Sequence, residues 1–221
     1  MIPLRDTEPS NSKPLVTACL IAVNLLMFLY EFSLDPFSLN WLFSQYGLVP
    51  AKLQYMDLIT SMFLHGGWMH LIGNMWFLWI YGDNIEDILG HQKFLLFYLL
   101  CGIAAGLVQA FVSGGSRIPT VGASGAIAGV MGAYLVKFPR SKILTLVPIF
   151  VFVTTLEIPA VFILLYWFVI QFFSGFGNLG QVNETGGVAF FAHIGGFLAG
   201  MILISILGTQ PRYRKRQEYN W

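Results

Sequence analysis

Ser124 stands in Gly122-Ala123-Ser124-Gly125, and His193 opens His193-Ile194-Gly195-Gly196-Phe197-Leu198-Ala199-Gly200. Both lie at the mouths of long apolar runs, and a hydroxyl and an imidazole kept inside a bilayer demand a function. Serine is a poor nucleophile until a base takes its proton, and His193 is the best-placed base among the four histidines. The chemistry such a pair performs is acyl transfer: attack on a carbonyl, then hydrolysis, within the membrane. Acyl transfer also needs donors for the developing oxyanion. The backbone N–H of Ser124, at the start of a helix, is one candidate. His70 and Asn74 are four apart and share a helix face. Both can donate, but from spacing alone a role in joining helices is equally open.

No acid is placed to orient His193. Asp83, Glu86 and Asp87 fall in an inner loop, and Glu157 opens the fifth apolar run from the inside; Asp57, in the first outer loop, remains open. A Ser–His dyad is therefore expected rather than a triad. Other membrane chemistries lack their residues. There is no His-Glu-x-x-His for zinc, and His65 and His70, five apart, are not a helical ligand pair. Aspartyl proteolysis needs two carboxylates within spans, and the glycines of 122–129 are followed by no Gly-Lys-Ser/Thr. No metal and no cofactor are expected.

The elements that must position these groups are membrane helices. Hydrophobic residues make up 56% of the chain and charged residues 10%, against about 25% charged in soluble domains. Acids and bases nearly cancel, so no field suggests nucleic acid. Cys19 and Cys101 lie in separate apolar runs and read as packing residues. A spanning helix needs about 20 apolar residues, and the candidate spans are 14–32, 67–82, 92–113, 124–138, 157–173 and 188–207. The first is expected to be a retained helix rather than a signal peptide. Residues 33–66 have no span and read as a long amphipathic segment in the interface. Lys142 to Thr155, interrupted by Pro148 and rich in β-branched residues, reads as a surface connection into the fifth span, with a longer fifth helix as the alternative. The expected fold is an all-α membrane protein: a six-helix bundle over 14–207, between a cytoplasmic N-terminal segment, 1–13, and a basic cytoplasmic tail, 208–221.

With both termini inside, ten of the twelve Lys and Arg fall in inner segments and only Lys52 and Arg117 in outer ones, a strong positive-inside bias. Arg212 to Arg216 then reads as a topological anchor. Spans two, four and six all run inward and carry His70 with Asn74, Ser124, and His193 near their outer ends. The fourth span, about 15 residues or ~22 Å, is shorter than the ~30 Å hydrocarbon core. Ser124 is therefore expected below the outer surface, with loop 113–123 dipping into the protein, where irregular backbone must be buried or line a wet cavity. Gly125, Gly129 and Gly132 on span four, and Gly196 and Gly200 on span six, would let the two backbones approach closely.

These residues resemble the rhomboid family of intramembrane serine proteases. Gly-x-Ser-Gly at 122–125 and His-x-x-Gly-x-x-x-Gly at 193–200 are similar to its two catalytic motifs. Phe63-Leu64-His65-Gly66-Gly67-Trp68-Met69-His70-Leu71-Ile72-Gly73-Asn74 is similar to its second-span motif, and Gly82-x-x-x-Glu86-x-x-x-Gly90 to the turn after it. The resemblance implies that Ser124 is the nucleophile and His193 the base, that His70 and Asn74 join Ser124 as oxyanion donors, and that His65 is structural. Two positions depart from the family pattern: Met56-Asp57 replaces a common Trp-Arg, and Ala128 replaces an aromatic that stacks on the histidine in some members.

The expected protein is thus an endopeptidase in a plasma or inner membrane, opening to the outer side. Its partners would be the lipid bilayer and single-span substrates, cut near the outer end of their helix. The substrate is expected to enter beside span five, under the glycine-rich loop 174–187, which has the composition of a mobile cap. The alternatives are a catalytically silent relative that binds membrane clients and a transporter; the second would show internal repeats, and none is evident.

Overall fold

The computed structural model describes residues 2–149, 152–177 and 189–209. Among the described residues, eight α-helices carry the fold: α1 (Leu15–Ser33), α2 (Pro36–Tyr46), α3 (Asp57–Thr60), α4 (Trp68–Leu89), α5 (His91–Val112), α6 (Ser124–Lys137), α7 (Ala160–Gly177) and α8 (Phe190–Ile206). Of these, α1, α5 and α7 are long and apolar enough to cross a membrane, and α6 and α8 are shorter apolar helices.

The structure corrects the all-α expectation. Strands β1 (Ile2–Asp6), β2 (Lys142–Ile149) and β3 (Phe152–Pro159) form an antiparallel sheet in that order. The stretch expected to be a surface connection or a helical extension is thus a β-hairpin, with Lys142 opposite Pro159 and Val147 opposite Thr154. The cause is local. Ile143, Thr145, Val147, Val153, Thr154, Thr155 and Ile158 are β-branched and favour a pleated surface, and Pro148 would break a helix interior. Lys142 and Glu157 form an ion pair at 2.9 Å across the hairpin. The N-terminal segment supplies the third strand, which Asp6 fastens to the bundle. Its Oδ2 accepts from the Tyr134 hydroxyl at 2.6 Å and from Asn84 Nδ2 at 2.7 Å.

The second apolar run is also longer as a helix than its hydropathy suggests. α4 continues through Asp83, Glu86 and Asp87 to Leu89, and those acids bind the start of α1 and the segment before it: Asp83 meets Ser10, and Asp87 accepts from the Ser12 N–H at 2.8 Å. Glu86, fully buried, accepts from the Val16 and Thr17 N–H groups at 2.8 Å each, satisfying two of the orphan donors at the start of α1. The Gly82-x-x-x-Glu86-x-x-x-Gly90 pattern follows from this junction. A side chain at Gly82 would press on Thr17 at 3.0 Å, and Gly90 turns the chain into α5 at φ 76°.

At the centre, α6 is wrapped by α4, α5 and α8, and every residue from Gly125 to Tyr134 is buried. Its contact with α8 is backbone to backbone. A Cβ on Gly196 would overlap the Gly125 carbonyl, one on Gly200 the Gly129 carbonyl, and one on Gly132 the Phe197 carbonyl. Both sets of glycines expected to face each other do so.

Candidate active site

Ser124 is the first residue of α6, and His193 lies in the first turn of α8. The glycine contact brings these two helix starts together, and His193 Nε2 lies 2.8 Å from Ser124 Oγ. The start of α8 is fixed from α5. Gln109 Oε1 accepts from the Ala192 N–H at 3.1 Å, doing the work of an N-cap in a helix whose cap residue, Ala189, has no side chain to offer.

The chain reaches Ser124 through a loop held by backbone hydrogen bonds. Leu48 and Thr120 exchange N–H to carbonyl bonds at 2.9 and 2.8 Å, Ala51 N–H donates to Ser116 at 2.9 Å, and Gly122 N–H donates to Ser61 at 2.9 Å. Irregular backbone between helices is thereby satisfied by residues 48–61, as burial requires. Gly122 is required here on two grounds. Its φ of +127° suits only glycine, and a Cβ would strike the His70 ring at 2.6 Å and approach Asn74 Nδ2 at 3.6 Å. His70 and Asn74, on one face of α4, therefore both border the loop residue two before Ser124.

Asn74 is buried, and its Nδ2 donates to His65 Nε2 at 3.0 Å. The His65 N–H in turn is shared by the two oxygens of Glu31, each at 3.2 Å. Burial, with a smaller push from His70, lowers the His65 pKa to about 4, against a weaker upward pull from the Phe63 carbonyl. The ring is therefore neutral near pH 7, with Nε2 free to accept. The remaining histidine, His91, lies elsewhere, with Nδ1 2.6 Å from Glu86 Oε1. Asp57 begins α3, and the position beside His193 where an orienting acid would stand is filled by Gln171, whose Oε1 is 2.7 Å from His193 Nδ1. Behind Ser124 a cavity of about 30 Å³ is lined by Ser61, Thr120, Gly122, Ser124, Gly125 and Ala192 among others. That is room for water in a pocket with polar groups.

A family description for the rhomboid domain matches residues 52–210. The chain belongs to the rhomboid family. RHOMBOID-like protein 6, mitochondrial, from Arabidopsis thaliana is 36% identical over 155 residues, 70% of this chain and 44% of that protein. Rhomboid protease GluP from Bacillus subtilis (strain 168) is 32% identical over 212 residues, 92% of this chain and 38% of its own length. The human presenilin-associated rhomboid-like protein, mitochondrial, is 32% identical over 105 residues, 46% of this chain and 28% of that protein. This rhomboid thus matches less than half the length of each of these relatives. Its apolar helices and its family make it a multi-pass membrane protein.

Sequence reasoning passed over three side chains at this site. Gln109 and Gln171 each left a signal, an amide within an apolar stretch of its helix. Glu31 left one too, as an acid near the end of the first apolar run. The aromatic beside His193 comes from an unexpected helix: where Ala128 stands on α6, Trp167 of α7 packs its ring 5.6 Å from the imidazole. The loop 174–187 and the basic tail 208–221 both lie largely outside the described residues.

Proposed function

We propose that this rhomboid is an intramembrane serine endopeptidase that cuts membrane-anchored proteins near the outer end of their transmembrane helix. The observation that carries the reading is the 2.8 Å approach of Ser124 Oγ and His193 Nε2 at two helix starts locked together by glycines. The relative named as a rhomboid protease, aligned over 92% of this chain, supports the same chemistry.

In this mechanism His193 Nε2 takes the Ser124 proton as Oγ attacks the substrate carbonyl. The oxyanion forms beside the Ser124 N–H, which has no intrahelical partner at the first helical position, and beside His70 and Asn74. Asn74 keeps one amide hydrogen for this, since His65 uses only the other. His193 then protonates the leaving amine, and a water deprotonated by the same nitrogen releases the acyl group from Ser124. A Ser–His pair assisted by oxyanion donors is a recurring solution to acyl transfer.

The proposal places α1, α4, α5, α6, α7 and α8 across the membrane, with both termini cytoplasmic. The positive-inside bias supports that orientation. The membrane is a plasma or inner membrane, and the segment between α1 and α4, with exposed Phe37 and Trp41 on α2, lies in the interface. The substrate helix docks beside α7.

The test is cleavage of a single-span reporter by the purified chain in detergent, beside Ser124→Ala and His193→Ala. Cleavage by the parent alone is expected. Equal cleavage by all three would remove Ser124 and His193 from the chemistry, and silence from the parent with retained reporter binding would favour a client-binding rhomboid.

A further inference from the structure

His193 has two ring nitrogens, and only one faces Ser124. The other, Nδ1, points at α7, where Gln171 Oε1 lies at 2.7 Å. An amide oxygen can only accept, so Nδ1 must carry the proton, and the Nε2 lone pair is left to face the Ser124 hydroxyl. This is the tautomer that a general base for Ser124 requires.

Gln171 is out of character with its helix. Between Ala160 and Gly177 it is the only amide, and no charged residue accompanies it. Its neighbours Val169, Ile170, Phe172 and Phe173 are exposed apolar side chains, and an amide among them is expensive in lipid unless bonded. Leu164, Trp167, Phe168, Gln171 and Gly175 recur at helical spacing and form the face of α7 turned to α8. Leu164 and Gly175 are buried, and the other three are half-buried. Trp167, one turn before Gln171, lies against the His193 ring and also against Phe197 at 6.1 Å, while Phe168 meets Phe197 at 4.8 Å. One helix face therefore supplies both an aromatic wall for the imidazole and an acceptor for its far nitrogen.

We propose that Gln171 is the positioning residue of this site, holding His193 from α7 in the tautomer and orientation that activate Ser124, with Trp167 fixing the plane of the ring. The inference rests on the hydrolase reading above. It makes activation of the nucleophile depend on α7 staying packed against α8, so Gln171 acts on the chemistry and not on substrate access.

Two rates measured on the full chain in detergent separate these roles. The first is covalent labelling of Ser124 by a small fluorophosphonate, which needs an activated serine but no docked helix. The second is kcat and KM for a single-span reporter. In Gln171→Leu, labelling and kcat are expected to fall together by roughly 10- to 100-fold, part of the contribution general-base catalysis makes, with KM and Tm unchanged. Gln171→Glu restores the acceptor and is expected to recover most of both rates. Should Gln171→Leu unfold, Gln171→Met, straight-chained and of similar length, carries the same comparison. A folded Gln171→Leu or Gln171→Met that labels at the parent rate overturns the inference alone, as does a change confined to KM. A parent chain that labels no faster than Ser124→Ala overturns the hydrolase reading and this inference with it.

Discussion

Asn74 is held from one side by His65, and His65 from behind by Glu31, so the amide's orientation is set before any substrate arrives. Substitution of Asn74 by Ala should therefore lower kcat by about 10²-fold, the usual effect of one lost oxyanion donor, and leave the Tm nearly unchanged. A large fall in Tm would instead assign Asn74 to joining helices. His65, in the loop ahead of α4, makes the same cluster sensitive to acid. An exposed histidine takes its proton near 6.5, whereas burial holds His65 to about 4. Between those values the unfolded chain binds more protons than the folded one. The stabilising contribution is thus complete above pH 6.5 and is lost as the pH falls towards 4. Across that window, acidification should cost the parent more thermal stability than it costs His65→Gln; identical pH dependence in the two would remove His65 from the effect.

At the scale of elements, the glycines of α6 and α8 set how closely the two helices approach. Their carbonyls occupy the space a Cβ would need, so Gly196→Val forces the helices apart at the level of Gly125, next to Ser124. Overpacking of this kind costs about 1–3 kcal/mol, and it should also lengthen the Ser124–His193 contact. We expect a lower Tm together with a loss of fluorophosphonate labelling. A Gly196→Val chain with the parent's Tm and labelling rate would show that the helices have slack. Capping obeys the same logic: Glu86 from α4 and Gln109 from α5 satisfy donors at the starts of α1 and α8, so these two helix starts are positioned by neighbours, whereas α2 is capped by its own Asp35.

For the whole molecule, the proposed orientation puts loop 113–123 outside and the turn after α6 inside. A membrane-impermeant thiol reagent applied to intact cells should modify Ser116→Cys, and should reach Arg140→Cys only after permeabilisation. The reverse pattern would invert the orientation and move the site to the other face. The sheet formed by β1 and the hairpin lies near Asp6, Tyr134 and Asn84, at the far end of α6 from Ser124. Its place is structural: it joins the N-terminal segment to the chain between α6 and α7.

Much of this was legible in the linear chain. The apolar runs, Ser124 and His193 at the mouths of two of them, the spacing of His70 and Asn74, and the facing glycines all follow from residue type and period, because membrane helices and close backbone packing constrain sequence locally. The hairpin was half-legible, since β-branched residues and Pro148 argue against a helix but do not pair strands. What only the tertiary structure decided is which group faces which. Gln171 lies 22 residues from His193, Asp6 lies 128 from Tyr134, and Glu86 lies 70 from Val16. No periodicity connects such residues; helix packing does. For that reason the imidazole expected to lack both an orienting acid and a stacked aromatic is met by an amide and an indole from α7.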